Sequence, residues 1–126
     1  MSHALRSVVL VDAVRTPFGK AGSMYAGTRA DDLMVRAMRG LLERNPKVDP
    51  AAIDDVAIAA ATQTGDQGMN IGRSATLLAG LPKTVPGYSV DRWCAGALTA
   101  TTTIAGAIAM GAIDIAIAGG VEHMGN

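Results

Sequence analysis

Apolar residues fall in short dense runs, separated by polar stretches marked with glycine and proline. The run "SVVLVDAV" (residues 7–14) is rich in valine and predicts a strand buried in a sheet. "RTPFGKAGSMYAGT" follows it and predicts a loop. Over residues 30–44 the spacing changes, and Met34, Ala37, Met38 and Leu41 share one helical face. Asp31 and Asp32 near the start of that helix and Arg44 at its end suit the helix dipole. After the break "NPKVDP", "DVAIAAA" (55–61) predicts a second strand. "NIGRSATLLAG" (70–80) predicts a second helix, capped by Asn70 and stopped by Gly80. A short strand at residues 88–90, an uncharged helix over 94–110 and the strand "DIAIAGG" (114–120) complete the pattern.

Strand and helix alternate, βαβαβαβ, which predicts an α/β fold with a mainly parallel sheet covered by helices. The echo between "AIDDVAIAAA" and "AIDIAIAGG" marks two similar entries into buried strands rather than a repeat array. In such sheets chemistry gathers beyond the carboxyl ends of the strands. Cys94, the only cysteine, lies there, directly after the third strand and at the head of the third helix.

With 126 residues, 49% of them hydrophobic, the chain holds enough for one domain with a core. Lysine and arginine number 11 and so do aspartate and glutamate, without any long block of one sign. That balance argues against a nucleic-acid or anionic-membrane surface. One cysteine makes no internal disulfide, which fits a reducing, cytoplasmic setting. Residues 7–14 are too short for a signal sequence and are broken by Asp12. Residues 95–113 carry no charge, but their Ala, Gly and Thr content suits a buried helix better than a membrane span.

A thiolate is the reactive form of cysteine, and a helix amino terminus stabilises an anion through its unpaired N–H groups. The same donors can serve an oxyanion formed when sulfur attacks a carbonyl. Arg92 adds positive charge beside Cys94 and Asp91 opposes it, while Ala95, Gly96 and Ala97 leave the backbone accessible. Position alone leaves two readings open, a nucleophile and an inert buried thiol. No second cysteine or neighbouring histidine supplies metal-ligand spacing, so no metal site is expected. His3 stands in the N-terminal stretch, and His123 follows the last strand, where a solvated role competes with a chemical one. "GDQGMNIGR" lacks the lysine and hydroxyl residue of a phosphate-binding loop and reads as a turn with an N-cap. Trp93 suits a tunnel wall or a packing contact, and Arg15 and Lys20 flank the first loop as solvated charges.

Four blocks, in order, carry a resemblance across nearly the whole chain: "VRTPFGK" (14–20), "GMNIGRSATLLAGLP" (68–82), "VDRWCAGALTA" (90–100) and "AGGVEHM" (118–124). Together they resemble the N-terminal portion of the thiolase family, acyl-CoA:acetyl-CoA acyltransferases, and the ending is most similar to fatty-acid-degrading 3-ketoacyl-CoA thiolases. Asp91 stands where thiolases often have asparagine, and Gly96-Ala97 where a serine-glycine pair is frequent.

The resemblance implies that Cys94 becomes acylated, with acyl-CoA and coenzyme A as substrates and no bound cofactor. The reaction is then cleavage of a 3-ketoacyl-CoA by coenzyme A, or the reverse Claisen condensation, through a thioester. It implies a thiolase-like fold in which residues 1–126 form an N-terminal half-domain that stacks with a second, similar half. The activating histidine, the second cysteine and the oxyanion motif of thiolases belong to that other half, so the chain reads as part of a longer enzyme, inactive alone. A homodimer or homotetramer is implied, and a partner subunit in fatty-acid β-oxidation is left open. The alternatives are a β-ketoacyl synthase-like condensing enzyme and a non-catalytic assembly domain on the same fold.

Overall fold

The computed structural model describes residues 4–125, so His3 lies outside the described residues. Three strands, β1 (Asp55–Ala59), β2 (Tyr88–Val90) and β3 (Ala116–Gly120), form one parallel sheet in the order β2-β1-β3. The register sets Ala57 against Tyr88 and Ala59 against Val90 on one side, and Ala59 against Gly120 on the other. Three helices cover the sheet: α1 (Ala30–Arg44), α2 (Ile71–Ala79) and α3 (Gly96–Ala109).

Alternation along β1 explains the layers. Val56 and Ile58 point to one face, where they join Met34, Met38, Ile71, Ala75 and Ile117 in the larger core. Ala57 points to the other face, where it meets Ala100 and Ile104 of α3. β1 is the central strand and its last four residues are buried, as a strand covered on both faces requires. The apolar face expected of α1 is the observed one, with Met34 and Met38 buried and Ala37 and Leu41 packed against them.

Close backbone approach holds α2 on β2. A Cβ added at Gly72 would sit 2.0 Å from the Tyr88 carbonyl oxygen, and one at Gly87 would sit 2.7 Å from the Gly72 oxygen. Only glycine lets a helix rest directly on strand backbone in this way. Asn70, in the left-handed region, accepts a hydrogen bond from the Arg73 N–H, and Gly80 ends the helix at φ 92°. The cap and the stop expected from sequence are therefore in place.

The strand expected over residues 7–14 is not formed. Arg6 ties one end of this segment to the far end of α3, through the carbonyls of Ile108 and Ile113 and the Asp114 carboxylate. Asp12 ties the other end to Arg44 and Asn45. Between these anchors the chain stands away from β3, and a slot of about 700 Å³ lies between them. Val9, Leu10 and Val11 are 77%, 83% and 76% exposed. Their apolar character marks a segment fit for burial, but no neighbouring backbone here supplies the hydrogen-bond ladder that would make it a strand.

Candidate active site

The carboxyl ends of β1 and β3 meet the first turn of α3 at Gly96 and Ala97, and Cys94 lies between the end of β2 and that turn. β2 ends at Val90, and Asp91 turns the chain by accepting a hydrogen bond from the Trp93 N–H at 3.1 Å. Trp93–Ala95 form one 3₁₀ turn, and α3 proper begins at Gly96, two residues later than the sequence pattern suggests. Trp93 enters that turn with φ 47°, a conformation costing a bulky residue on the order of 1–2 kcal/mol. Trp93 is 79% exposed. Cys94 is a free, exposed thiol.

Directly after Cys94, the first turn of α3 meets a seat of small residues. A Cβ added to Gly96 would meet the Ala59 Cβ at 2.8 Å, and one added to Gly120 would meet the Ala97 Cβ and the Ala59 oxygen at 3.1 Å each. The first turn of α3 thus rests on the paired residues Ala59 and Gly120 with no side chain larger than methyl between. Arg92 is directed along α3, where its guanidinium donates to the Thr99 hydroxyl at 3.2 Å.

A polar network that sequence reasoning missed joins the loops just beyond this seat. Val121 donates to the Ala59 carbonyl at 2.9 Å, the last bond in line with the β1–β3 ladder. One step on, the Glu122 carboxylate takes over, accepting the N–H groups of Ala61 at 2.8 Å and Thr62 at 3.3 Å. The amide of Gln67, 3% exposed, completes the link. Its Nε2 donates to the Thr62 carbonyl at 2.8 Å and to Glu122 at 3.2 Å, while its Oε1 accepts from the His123 N–H. Burial pushes the Glu122 carboxyl up, but hydrogen bonds from Thr62, Ala61 and Gln67 outweigh it and hold the group below its ordinary value.

His123 takes a different part from the one a free histidine could play. Its Nδ1 accepts from the Gly125 N–H at 3.1 Å, so the ring proton sits on Nε2, which faces the Tyr25 carbonyl at 3.0 Å. Both nitrogens are engaged in holding loops together, and neither is left to take a proton from the thiol. Arg15 and Lys20 line a cleft of about 680 Å³ with Glu122 and His123. Arg15 is not simply solvated, since its guanidinium lies 4.6 Å from the Phe18 ring centre. In the glycine-marked loop, Arg73 spends its guanidinium on the carbonyls of Val85 and Lys83. Among the described residues no group of three or more His, Cys, Asp or Glu side chains could hold a metal ion. Nor is any helix among them long and apolar enough to cross a membrane.

This arrangement has counterparts among known proteins. The family model for the thiolase N-terminal domain matches residues 8–126. A 3-ketoacyl-CoA thiolase of Aliivibrio salmonicida is 47% identical over 97% of this chain and 32% of its own length. A β-ketoadipyl-CoA thiolase of Pseudomonas aeruginosa is 48% identical over 94% of this chain and 30% of its own. The crystal structure of the Bacillus anthracis acetyl-CoA acetyltransferase superposes with a TM-score of 0.92 at 34% identity, over 99% of this chain and 31% of that one. The chain spans about a third of the length of these relatives. Matched along nearly all its residues in both sequence and fold, the chain belongs to the thiolase family.

Proposed function

We propose that residues 1–126 form the N-terminal half-domain of a thiolase and carry its nucleophile, Cys94. The observation behind this reading is the exposed thiol on a tight turn, at the carboxyl end of a parallel strand and the amino end of α3. In the degradative direction the Cys94 thiolate attacks the 3-keto carbonyl of a 3-ketoacyl-CoA. The C2–C3 bond of the tetrahedral adduct breaks, C2 leaves with the electron pair and is protonated, and acetyl-CoA departs. The acyl group remains on Cys94 as a thioester until the thiol of coenzyme A attacks it, forming the shortened acyl-CoA and releasing the cysteine sulfur. The condensation is the same sequence reversed.

The described residues supply the nucleophile, its helix terminus and its seat, but neither ring nitrogen of His123 is free to activate the thiol. The proton acceptor and the acid at the second carbonyl therefore come from other parts of the enzyme. Coenzyme A and acyl-CoA act as substrates, and the setting is cytoplasmic. Among the described residues β2 is an edge strand with one side unpaired, three residues before the exposed Trp93. That edge favours association of the whole enzyme as a dimer or a dimer of dimers.

Incubating the full-length protein with a 3-ketoacyl-CoA and mapping the acylated peptide by mass tests the assignment. Acylation is expected at Cys94 and absent from Cys94→Ala. Acylation that persists in that variant, or a preference for acyl-carrier-protein thioesters over CoA thioesters, would refute it. Light scattering on the same protein tests association, and a fully active monomer at micromolar concentration would count against it.

A further inference from the structure

The Glu122–Gln67 network lies just past the ends of β1 and β3, on which the first turn of α3 packs. From its placement we infer that Glu122 and Gln67 are positioning residues for Cys94, acting through the seat on which the nucleophile turn rests. This rests on the reading of Cys94 as the acylated residue.

The seat depends on two strands keeping their spacing at their very ends. Ala59 and Gly120 are the last paired residues of β1 and β3, and the first turn of α3 packs on both. Past them the ladder ends with the Val121 N–H on the Ala59 oxygen. The next cross-link is made by side chains. Glu122, two residues beyond Gly120, grips the N–H groups of Ala61 and Thr62, two and three residues beyond Ala59. A carboxylate accepting backbone N–H groups is a strong, charge-assisted clasp. Gln67 fixes the clasp from beneath, with its amide nitrogen shared between Thr62 and Glu122 and its oxygen holding the His123 N–H. Among the described residues, no buried side-chain nitrogen or oxygen is without a hydrogen-bond partner. A fully satisfied buried network of this kind selects a single arrangement of the loops it joins.

Without the carboxylate, the Ala61 and Thr62 N–H groups lose their acceptor and the Gln67 amide loses one of its two acceptors. The two strand ends are then free to part, and the packed pair Ala59–Gly120 with them. Because glycine and alanine contacts leave no slack, a displacement there passes directly into the Cys94 turn. A small misplacement of a reacting group lowers the rate of the chemical step far more than it weakens binding of a substrate held elsewhere.

The test uses the full-length enzyme with Glu122→Ala, Glu122→Gln and Gln67→Ala. Each is assayed well below its melting temperature and normalised to folded protein. For Glu122→Ala and Gln67→Ala we expect kcat and the rate of Cys94 acylation to fall by tenfold or more, with KM for the acyl-CoA changed less than threefold. Glu122→Gln keeps one acceptor oxygen for the Ala61 and Thr62 N–H groups and is expected to recover part of the loss. Variants that melt earlier but acylate Cys94 and turn over at the wild-type rate would overturn the inference while leaving Cys94 as nucleophile. If Glu122→Ala does not fold, Gln67→Ala and Glu122→Gln decide by the same criteria. Wild-type enzyme never acylated at Cys94 would remove the underlying assignment and this inference with it.

Discussion

Gly96→Ala puts a single methyl group between the first turn of α3, directly after Cys94, and its seat. The added Cβ would lie 2.8 Å from the Ala59 Cβ, whereas carbon atoms rest at about 3.5–4.0 Å. Something must therefore move by about 1 Å. Ala59 is 5% exposed and belongs to the central strand, so the first turn of α3 is the part free to lift. Overpacking of this size costs on the order of 1–3 kcal/mol of stability. Its effect on chemistry is larger, because a misplacement of about 1 Å at a reacting group costs about 10²-fold in rate. The expected outcome in the full-length enzyme is a folded protein whose Cys94 acylation, followed by peptide mass after mixing with acyl-CoA, is slower by about two orders of magnitude. Gly106→Ala is the control. It lies in the same helix with nothing among the described residues within 4 Å of the added Cβ, and alanine there favours the helix by about 1 kcal/mol. Gly96→Ala acylating as fast as Gly106→Ala would show that the seat does not hold the thiol in place.

Other substitutions test the frame around the site. Ile58→Ala empties a fully buried position in the larger core and is expected to lower unfolding stability by about 2–5 kcal/mol, measured by urea titration. Gly72→Ala would drive a Cβ to 2.0 Å from the Tyr88 oxygen and is expected to yield little folded protein, as judged by soluble expression and circular dichroism. Asp54, gripping the N–H groups of Asp114 and then Ile115, has its carboxyl held below the ordinary value, as does Glu122. A lowered carboxyl gives stability that is full above its unfolded pKa of about 4 and is lost as acid titrates the folded group. The melting temperature is therefore expected to be flat above about pH 5 and to fall below about pH 4, and Asp54→Asn should lessen that fall.

The elements that carry the site were legible because their signals are local. The three- and four-residue spacing of α1, Asn70 and Gly80 at the ends of α2, and the short apolar runs of β1 and β3 each sit within a few residues of what they specify. The place of Cys94 was legible for a similar reason, since the strand before it and the helix after it are both signalled locally. Residues 7–14 misled because valine content reports fitness for burial and not which backbone will pair with it. Trp93 at φ 47° left no trace, since tryptophan has no preference for that conformation. The Glu122–Gln67 link was hidden by distance along the chain. Its partners stand 55 residues apart, and Gln67 lies in a segment whose glycines read only as a turn.

The small-residue seat has a consequence for how such enzymes diversify. Ala59, Gly96, Ala97 and Gly120 offer methyl groups and backbone and nothing with which to recognise an acyl chain by charge, length or branching. Relatives named for different acyl groups, 3-ketoacyl and β-ketoadipyl, match this chain about equally well. On the reading of Cys94 as the acylated residue, the module that presents the sulfur is separable from the surfaces that choose what the sulfur receives. Selection can rework those surfaces without disturbing the attack geometry. A chimera in which residues 8–126 replace the matching segment of either relative is accordingly expected to keep its host's substrate preference, read as the ratio of kcat/KM for the two CoA esters.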